Sequence, residues 1–271
     1  MTAIVDFHSH LMPAVDDGAP DAAHSLDALR AFAAQGVGTC ITTPHFEGSL
    51  TRSPAAFAGR IAEIDAGWER LRAVVASAPT ELPAVERGVE VMLDDPDPDL
   101  SDSRLRLAGG PYVLCEFPAM RLPPNAEWAM QNLVRKGWRP IIAHPERYRN
   151  HDDRLTTLVR CREAGAHLQV NAGSFLGQHG DTARAIARKL LELGWADYIA
   201  SDFHARGTPA TARAVALLVE RGGELQARRL TEENPARILT GEPPLTVPPF
   251  VAPKTGPVSW WSRLFRRDQD R

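Results

Sequence analysis

The sequence predicts an α/β fold in which parallel strands alternate with helices, making a distorted, TIM-like β/α barrel or near-barrel of about seven strands. Three observations carry this. Short β-branched runs alternate with Ala/Leu/Arg-rich stretches of helical period over residues 4–221. About seven such repeats favour a barrel over an open sheet. Residues able to do chemistry recur just after the strands, where β/α barrels gather their active sites.

The elements follow in order. Residues 4–8 begin with Ile4 and Val5 and read as a strand. Residues 21–35 read as a helix, because Leu26, Leu29 and Ala33 recur at helical spacing and Gly36 stops it. Residues 39–43 are strand-like and residues 54–76 helical. Strands near 85–92 and 112–117 precede a helix near 125–136. A strand at 139–143, helix at 152–164, strand at 167–171, helix at 182–193, strand at 198–201 and helix at 209–221 complete the alternation.

The end of the chain differs. Pro243, Pro244, Pro248, Pro249, Pro253 and Pro257 mark an extended arm. The chain therefore divides into a domain over residues 1–241 and an arm with a basic tail over 242–271. In the tail, Trp260, Trp261, Leu264 and Phe265 make one apolar face of a short helix beside Arg263, Arg266 and Arg267. The stretch is short, so packing back on the domain or disorder is weighed ahead of contact with a partner or an anionic membrane surface.

Composition narrows the function classes. The chain has 271 residues, 44% hydrophobic and 24% charged, with a net charge of -3. This is ordinary globular composition and shows none of the basic excess of nucleic-acid-binding proteins. No apolar run approaches the roughly 20 residues of a membrane span. The start lacks the basic region and long apolar stretch of a signal peptide. Three cysteines without paired spacing fit a reducing cytoplasm.

The motifs after the strands share one chemistry. D-F-H-S-H places His8 and His10 two apart, on one side of a strand end. V-D-D-G brings Asp16 and Asp17, and T-T-P-H brings His45. G-V-E-V carries Glu90 and L-C-E-F-P carries Glu116. A-H-P-E-R-Y carries His144 and Arg147, and S-D-F-H carries Asp202 and His204. Imidazole and carboxylate without thiolate suit Mn, Fe or Zn at a hydrolytic centre. The set is too large for one ion, and a carboxylate such as Glu90 can bridge, so two or three metals are expected.

In this order the motifs resemble the PHP (polymerase and histidinol phosphatase) superfamily. More narrowly they resemble the manganese-dependent protein tyrosine phosphatases of bacterial capsule and exopolysaccharide operons. V-D-D-G-A and A-H-P-E-R-Y favour that branch, and the likeness spans residues 1–239. The resemblance implies a PHP-type barrel with a trinuclear Mn site. It assigns His8, His10, Glu90 and Asp202 to one metal, and Glu90, Glu116 and His144 to a second. Asp17, His45 and His204 go to a third. Arg147 grips the substrate phosphate and, with Asp17 and His45, is placed in the catalytic step. It selects Asp17 over Asp16, which the residues alone leave open. The implied substrate is a phosphotyrosine protein, namely the tail of a tyrosine autokinase of polysaccharide export. The alternative is a small phosphate such as histidinol phosphate or a nucleotide or sugar phosphate. The first helix does not match the acidic helix that builds ring oligomers in some relatives, so oligomeric state is not set. Phe203 stands where a small residue is usual and is expected to shape the pocket.

Several residues invite other readings. Cys115 to Arg121 spells C-x5-R, the spacing of cysteine-dependent tyrosine phosphatases. Such a loop points backbone N–H groups at phosphate, but Pro118 removes a donor and no glycine is present. Cys115 is therefore read as a buried strand residue. Asp6 is read as a structural partner of the ligands. His24, His151 and His167 are read as surface or packing residues. His179, Asn171 and Ser174 are candidates to line the pocket.

Overall fold

The computed structural model describes residues 3–250; the Trp260–Trp261 tail lies outside them. The strands are β1 (Ile4–Asp6), β2 (Val37–Thr42), β3 (His45–Glu47), β4 (Ala84–Arg87), β5 (Glu90–Met92), β6 (Tyr112–Glu116), β7 (Arg139–Ala143), β8 (His167–Asn171) and β9 (Tyr198–Ala200). The α-helices are α1 (Ala22–Ala34), α2 (Pro54–Ser77), α3 (Ala126–Arg135), α4 (Thr156–Glu163), α5 (Ala172–Phe175), α6 (Gly180–Glu192), α7 (Thr211–Glu220), α8 (Glu224–Arg228) and α9 (Asn234–Thr240).

All strand pairs are parallel. They form a three-stranded sheet, β1-β2-β4, and a six-stranded sheet, β3-β5-β6-β7-β8-β9. The expectation of about seven strands is thus corrected to nine short strands among the described residues, arranged in two parallel sheets that do not close into a regular barrel. The reason is two local breaks. Pro44 has no N–H to donate, and Thr43 N–H turns to the Ser9 carbonyl at 2.7 Å, so β2 ends before β3 begins. On the partner, Gly88 lies where a Cβ would press on Leu107, and regular strand geometry is interrupted over Gly88 and Val89, although Gly88 N–H still donates to the Thr42 carbonyl and Glu90 N–H to the Pro44 carbonyl, both at 3.0 Å. Pairing is kept across the break, since β2 pairs β4 as β3 pairs β5. Between β9 and β1 there is a single bridge, Ser9 to Phe203, with His10 N–H donating to the Phe203 carbonyl at 2.9 Å.

The helices cover the sheets with apolar faces. Leu29 and Phe32 of α1, Ile64 and Leu71 of α2, and Leu190 of α6 are fully buried. α1 starts at Asp21, whose carboxylate accepts from His24 N–H, and α2 starts at Ser53 with Pro54 in its first turn. Helix α4 starts later than its pattern suggests. Asp152 accepts from Arg154 and Thr156 N–H in a turn, and Leu155 is left-handed at φ 56°. The arm after α9 lies along the domain, with Leu245 N–H on Asn234, Phe250 N–H on the Leu191 carbonyl, and Val247 and Phe250 buried.

Candidate metal centre

The polar residues singled out at the strand ends converge on one end of the sheets. His8 and His10 follow β1 and are fully buried, and each ring is fixed by its second nitrogen. His8 Nδ1–H donates to Gln169 Oε1 of β8 at 2.8 Å, and His10 Nδ1–H donates to Asp16 Oδ2 at 2.7 Å. Both Nε2 lone pairs are thereby aimed at the same place. His8 Nε2 lies 3.3 Å from Glu90 Oε2 and 3.3 Å from Asp202 Oδ1. His10 Nε2 lies 3.6 and 3.4 Å from the same atoms.

Around this buried set lies a more open one. His45 Nδ1 is 3.2 Å from Glu90 Oε2 and 3.3 Å from Glu116 Oε1, while its Nε2 is 3.5 Å from Asp17 Oδ1. His204 Nε2 is 3.3 Å from Asp17 Oδ1, and its Nδ1–H donates to the Asp202 carbonyl at 2.9 Å. Three groups have ligand atoms within 4.8 Å of one another: His8, His10, Glu90 and Asp202; His10, Asp17, His45 and His204; and His45, Glu90 and Glu116. His144 borders the last group, 2.9 Å from Glu90 Oε1 and 4.0 Å from Glu116 Oε2. The structure therefore sets His45 nearer to Glu116 than His144.

These residues fit metal ions. Two ligand atoms on one tetrahedral ion at about 2.1 Å stand ~3.4 Å apart, the separation seen between most of these nitrogens and oxygens. His8 Nε2, His10 Nε2, His45 Nδ1, Glu90 Oε2 and His144 Nδ1 are buried without a hydrogen-bond partner. A buried lone pair facing a buried carboxylate is repulsive unless a proton or cation lies between them. The protonation of the rings says the same. Burial pulls His10 down, yet Asp16 and Asp202 outweigh it and raise the ring to about 10. His45 rises to about 11 against burial, through Glu116 and Glu90. Glu90 sits well below the usual carboxylate range: burial opposes this, but the His8, His144 and His45 imidazoles prevail. The centre is built for positive charge.

The backbone is bent to make it. His144 and Asp202 are left-handed at φ 34° and 52°, conformations that His and Asp tolerate better than most residues. The glycine of V-D-D-G has a steric duty, for a Cβ on Gly18 would collide with the His10 carbonyl and side chain. Asp16 is held by Gly18 N–H at 3.0 Å and His45 N–H at 3.1 Å, so it orients rings and leaves Asp17 to face His45 and His204. Asp6 is buried, and accepts from Ser201 N–H at 3.1 Å and the Thr211 hydroxyl at 2.5 Å, tying β1 to the end of β9.

Arg147 reaches the rim and donates through Nη1 to Asp202 Oδ2 at 2.7 Å. Asn171 Nδ2 donates to the same oxygen at 3.0 Å. A cavity of about 300 Å³ opens over the centre, bordered by Asp17, His45, Glu116, Met120, Arg147 and His204. Ser174 lies beneath the rim and its hydroxyl pairs with His179 Nδ1 at 2.8 Å.

Other expectations are settled elsewhere in the chain. Cys115 is fully buried on β6, its thiol on the Ile141 carbonyl at 3.3 Å, and burial raises it far above the range of a reactive thiol. Phe203 does not line the cavity: it packs edge-on to Phe32 of α1, with ring centroids 5.6 Å apart, because the left-handed Asp202 turns it outward. His24 pairs with Asp21, His151 with the Pro145 carbonyl, and His167 lies beside Tyr112 and Tyr198. Gln169 escapes a reading for metal ligands. Its signal is an amide inside the apolar strand H-L-Q-V-N, two positions before Asn171 and so on the same face.

Fold and site together fit a class, the α/β metal-dependent hydrolases: clusters of imidazoles and carboxylates able to hold metal ions gather at one end of parallel strands. The sequence profile of the capsular polysaccharide synthesis family CpsB/CapC matches residues 4–240, and the chain belongs to that family. It is 33% identical over 204 residues to the tyrosine-protein phosphatase YwqE of Bacillus subtilis, covering 74% of this chain and 77% of that one. It is 27% identical over 255 residues to the tyrosine-protein phosphatase CpsB of Streptococcus pneumoniae, covering 87% and 98%. A solved structure described as one of the metal-dependent tyrosine phosphatases YwqE and CpsB superposes with a TM-score of 0.70 at 29% identity, over 93% of this chain and all of that one.

Proposed function

We propose that this chain is a metal-dependent protein tyrosine phosphatase that hydrolyses phosphotyrosine on a tyrosine autokinase controlling capsule or exopolysaccharide synthesis. The observation that carries the reading is the convergence of four unpartnered buried atoms, His8 Nε2, His10 Nε2, His45 Nδ1 and Glu90 Oε2, under a cavity rimmed by Arg147. The phosphatase names of the relatives supply the reaction class.

In this reading His8, His10, Glu90 and Asp202 hold the deepest ion. Glu90 and Glu116, with His45 and His144, hold a second, and Asp17, His45 and His204 a third. Mn suits the oxygen-rich imidazole set, and Fe or Zn fits the same donors. Bound there, such ions lower the pKa of water and draw charge from phosphoryl oxygens. The chain's own residues do the rest. Arg147 is anchored by Nη1 on Asp202 and presents its remaining N–H groups to the phosphate. Asn171 and Arg147 both donate to Asp202 Oδ2, which holds that carboxylate in one orientation and leaves Oδ1 to the centre. Tyrosine leaves as a phenolate with pKa near 10, so the demand for a general acid is smaller than for an alkoxide. The cytoplasm, where kinase tails lie, is the matching compartment. The two sheets, which share their pairing across the breaks, are read as one distorted β/α barrel.

The test is a set of initial rates with Mn, without Mn and with EDTA. The substrates are a phosphotyrosine peptide, a phosphoserine peptide, histidinol phosphate and a nucleotide monophosphate. Mn-dependent turnover selective for phosphotyrosine is expected, collapsing in His144→Ala. Turnover of a small alkyl phosphate alone would move the function to metabolism.

A further inference from the structure

The cavity over the centre does not stand alone. On one side it shares His45, Met92 and Glu116 with a second cavity of about 450 Å³ that also borders Glu47 and Arg60. On the other side it shares Met120 and Arg147 with a third, of about 530 Å³, that continues to Arg149, His179 and Thr182. The three lie in series, with the centre in the middle. A phosphotyrosine side chain needs only the middle one. A peptide backbone entering with it must pass over the two flanks, each roomy enough for an amino-acid side chain.

The flanks differ in charge. The flank beyond Arg147 holds Arg149, whose guanidinium is exposed and makes no hydrogen bond or ion pair among the described residues. The one carboxylate bordering that flank, Glu146, is enclosed and accepts from Asn171 N–H at 3.0 Å. An occupant therefore meets two guanidinium groups. On the opposite flank, Glu47 and Arg60 oppose each other in sign, and Arg60 is already bound to the Val15 and His45 carbonyls at 3.2 and 2.6 Å. Arg60 is also paired with Glu63 at 3.0 Å, so among the described residues that flank offers no free cation to an acidic side chain.

We propose that the cavity between Arg147 and Arg149 is a subsite for the residue next to the phosphotyrosine in a peptide substrate, and that Arg149 makes it select an acidic side chain there. The inference rests on the phosphatase reading above and names its substrate more closely. It is the kind of long-range selection by one unpaired charge that an exposed guanidinium exerts on an incoming chain.

The experiment measures kcat/KM on short phosphotyrosine peptides carrying Asp, Ala or Lys immediately before or immediately after the phosphotyrosine, alongside free phosphotyrosine, in the Mn-loaded full-length protein. One of the two positions should favour Asp over Lys by about five-fold at low salt, the preference shrinking at high salt, and the other position should show no preference for Asp. In Arg149→Glu the Asp-to-Lys ratio at the responsive position should invert, a ratio that does not depend on how much of the variant folds. Equal rates for Asp and Lys at both positions, or a ratio unchanged in Arg149→Glu, would overturn the subsite while leaving the phosphatase reading intact. No turnover of free phosphotyrosine or of any peptide would overturn both.

Discussion

The inner and outer halves of the centre are made of the same residue types and differ in how they are held. His8, His10 and Glu90 have fully buried side chains and Asp202 is 4% exposed, whereas His204, His45 and Asp17 are 26%, 38% and 62% exposed. Each inner histidine is locked by a buried or nearly buried partner, Gln169 or Asp16. The Asp17 carboxylate, by contrast, faces the His45 and His204 imidazoles from an exposed position. Depth and locking go together because a buried donor must be satisfied, while an exposed one can turn to water. The inner half is therefore the more tightly held, and in the proposed reading the outer half should exchange its metal more readily.

Four changes test this contrast, from the largest effect to the smallest. Glu90→Gln removes the carboxylate that faces His8, His10, His45 and His144. It should reduce kcat by on the order of 10³-fold or more, with a matching loss of tightly held metal by elemental analysis, since the proposed reading makes Glu90 a direct ligand rather than a supporting residue. Asp17→Asn should weaken only the outer position: activity falls at limiting Mn and recovers as Mn is raised. If excess Mn rescues Glu90→Gln as readily as Asp17→Asn, the inner and outer halves are equivalent. Gln169→Leu should lower metal affinity by roughly 10–100-fold, read by competition with a chelating dye, since His8 loses the partner that aims it.

The fourth is a pH dependence. In the metal-free protein His10 and His45 titrate at about 10 and 11, above the 6.5 of an unfolded imidazole. Groups raised on folding contribute stability that is full below pH 6.5 and is lost as pH rises through the folded values. The melting temperature of EDTA-treated protein should therefore fall between about pH 6.5 and 11. Metal uptake must expel the same protons, so apparent Mn affinity should rise over that range. A smaller effect belongs to the loop beside the site: exposed Ala14 is left-handed at φ 53°, and Ala14→Gly should stabilise the protein by about 0.5–1 kcal/mol in thermal or urea unfolding.

Much of this was legible in the sequence. The alternation of elements and the strand-end placement of His8, His45, Glu90, Glu116, His144 and Asp202 can be read because ligand types stand out after apolar runs. What could not be read depends on neighbours. The breaks at Pro44 and Gly88 turn two strands into four, since a lone proline or glycine does not reveal whether the ladder resumes beyond it. Phe203 was expected at the pocket, but its side depends on the left-handed turn at Asp202, a property no periodicity encodes. The short helices α5, α8 and α9 have too few turns to show a period. Gln169 hides because its strand is otherwise apolar.

The proposed ligands run from His8 to His204, with His8 and His10 after the first strand and Asp202 and His204 after the ninth. No fragment short of residue 204 contains the inner set and its outer rim. During synthesis, at about 5–20 residues per second, a growing chain would emerge without a place for the deepest ion until the ninth strand has left the ribosome and joined the first. Unlike a zinc finger, which an ion can organise from an unfolded peptide, this centre is a late product of long-range closure. Metal starvation should accordingly leave a folded, inactive pool that becomes active on supply, with no new protein made.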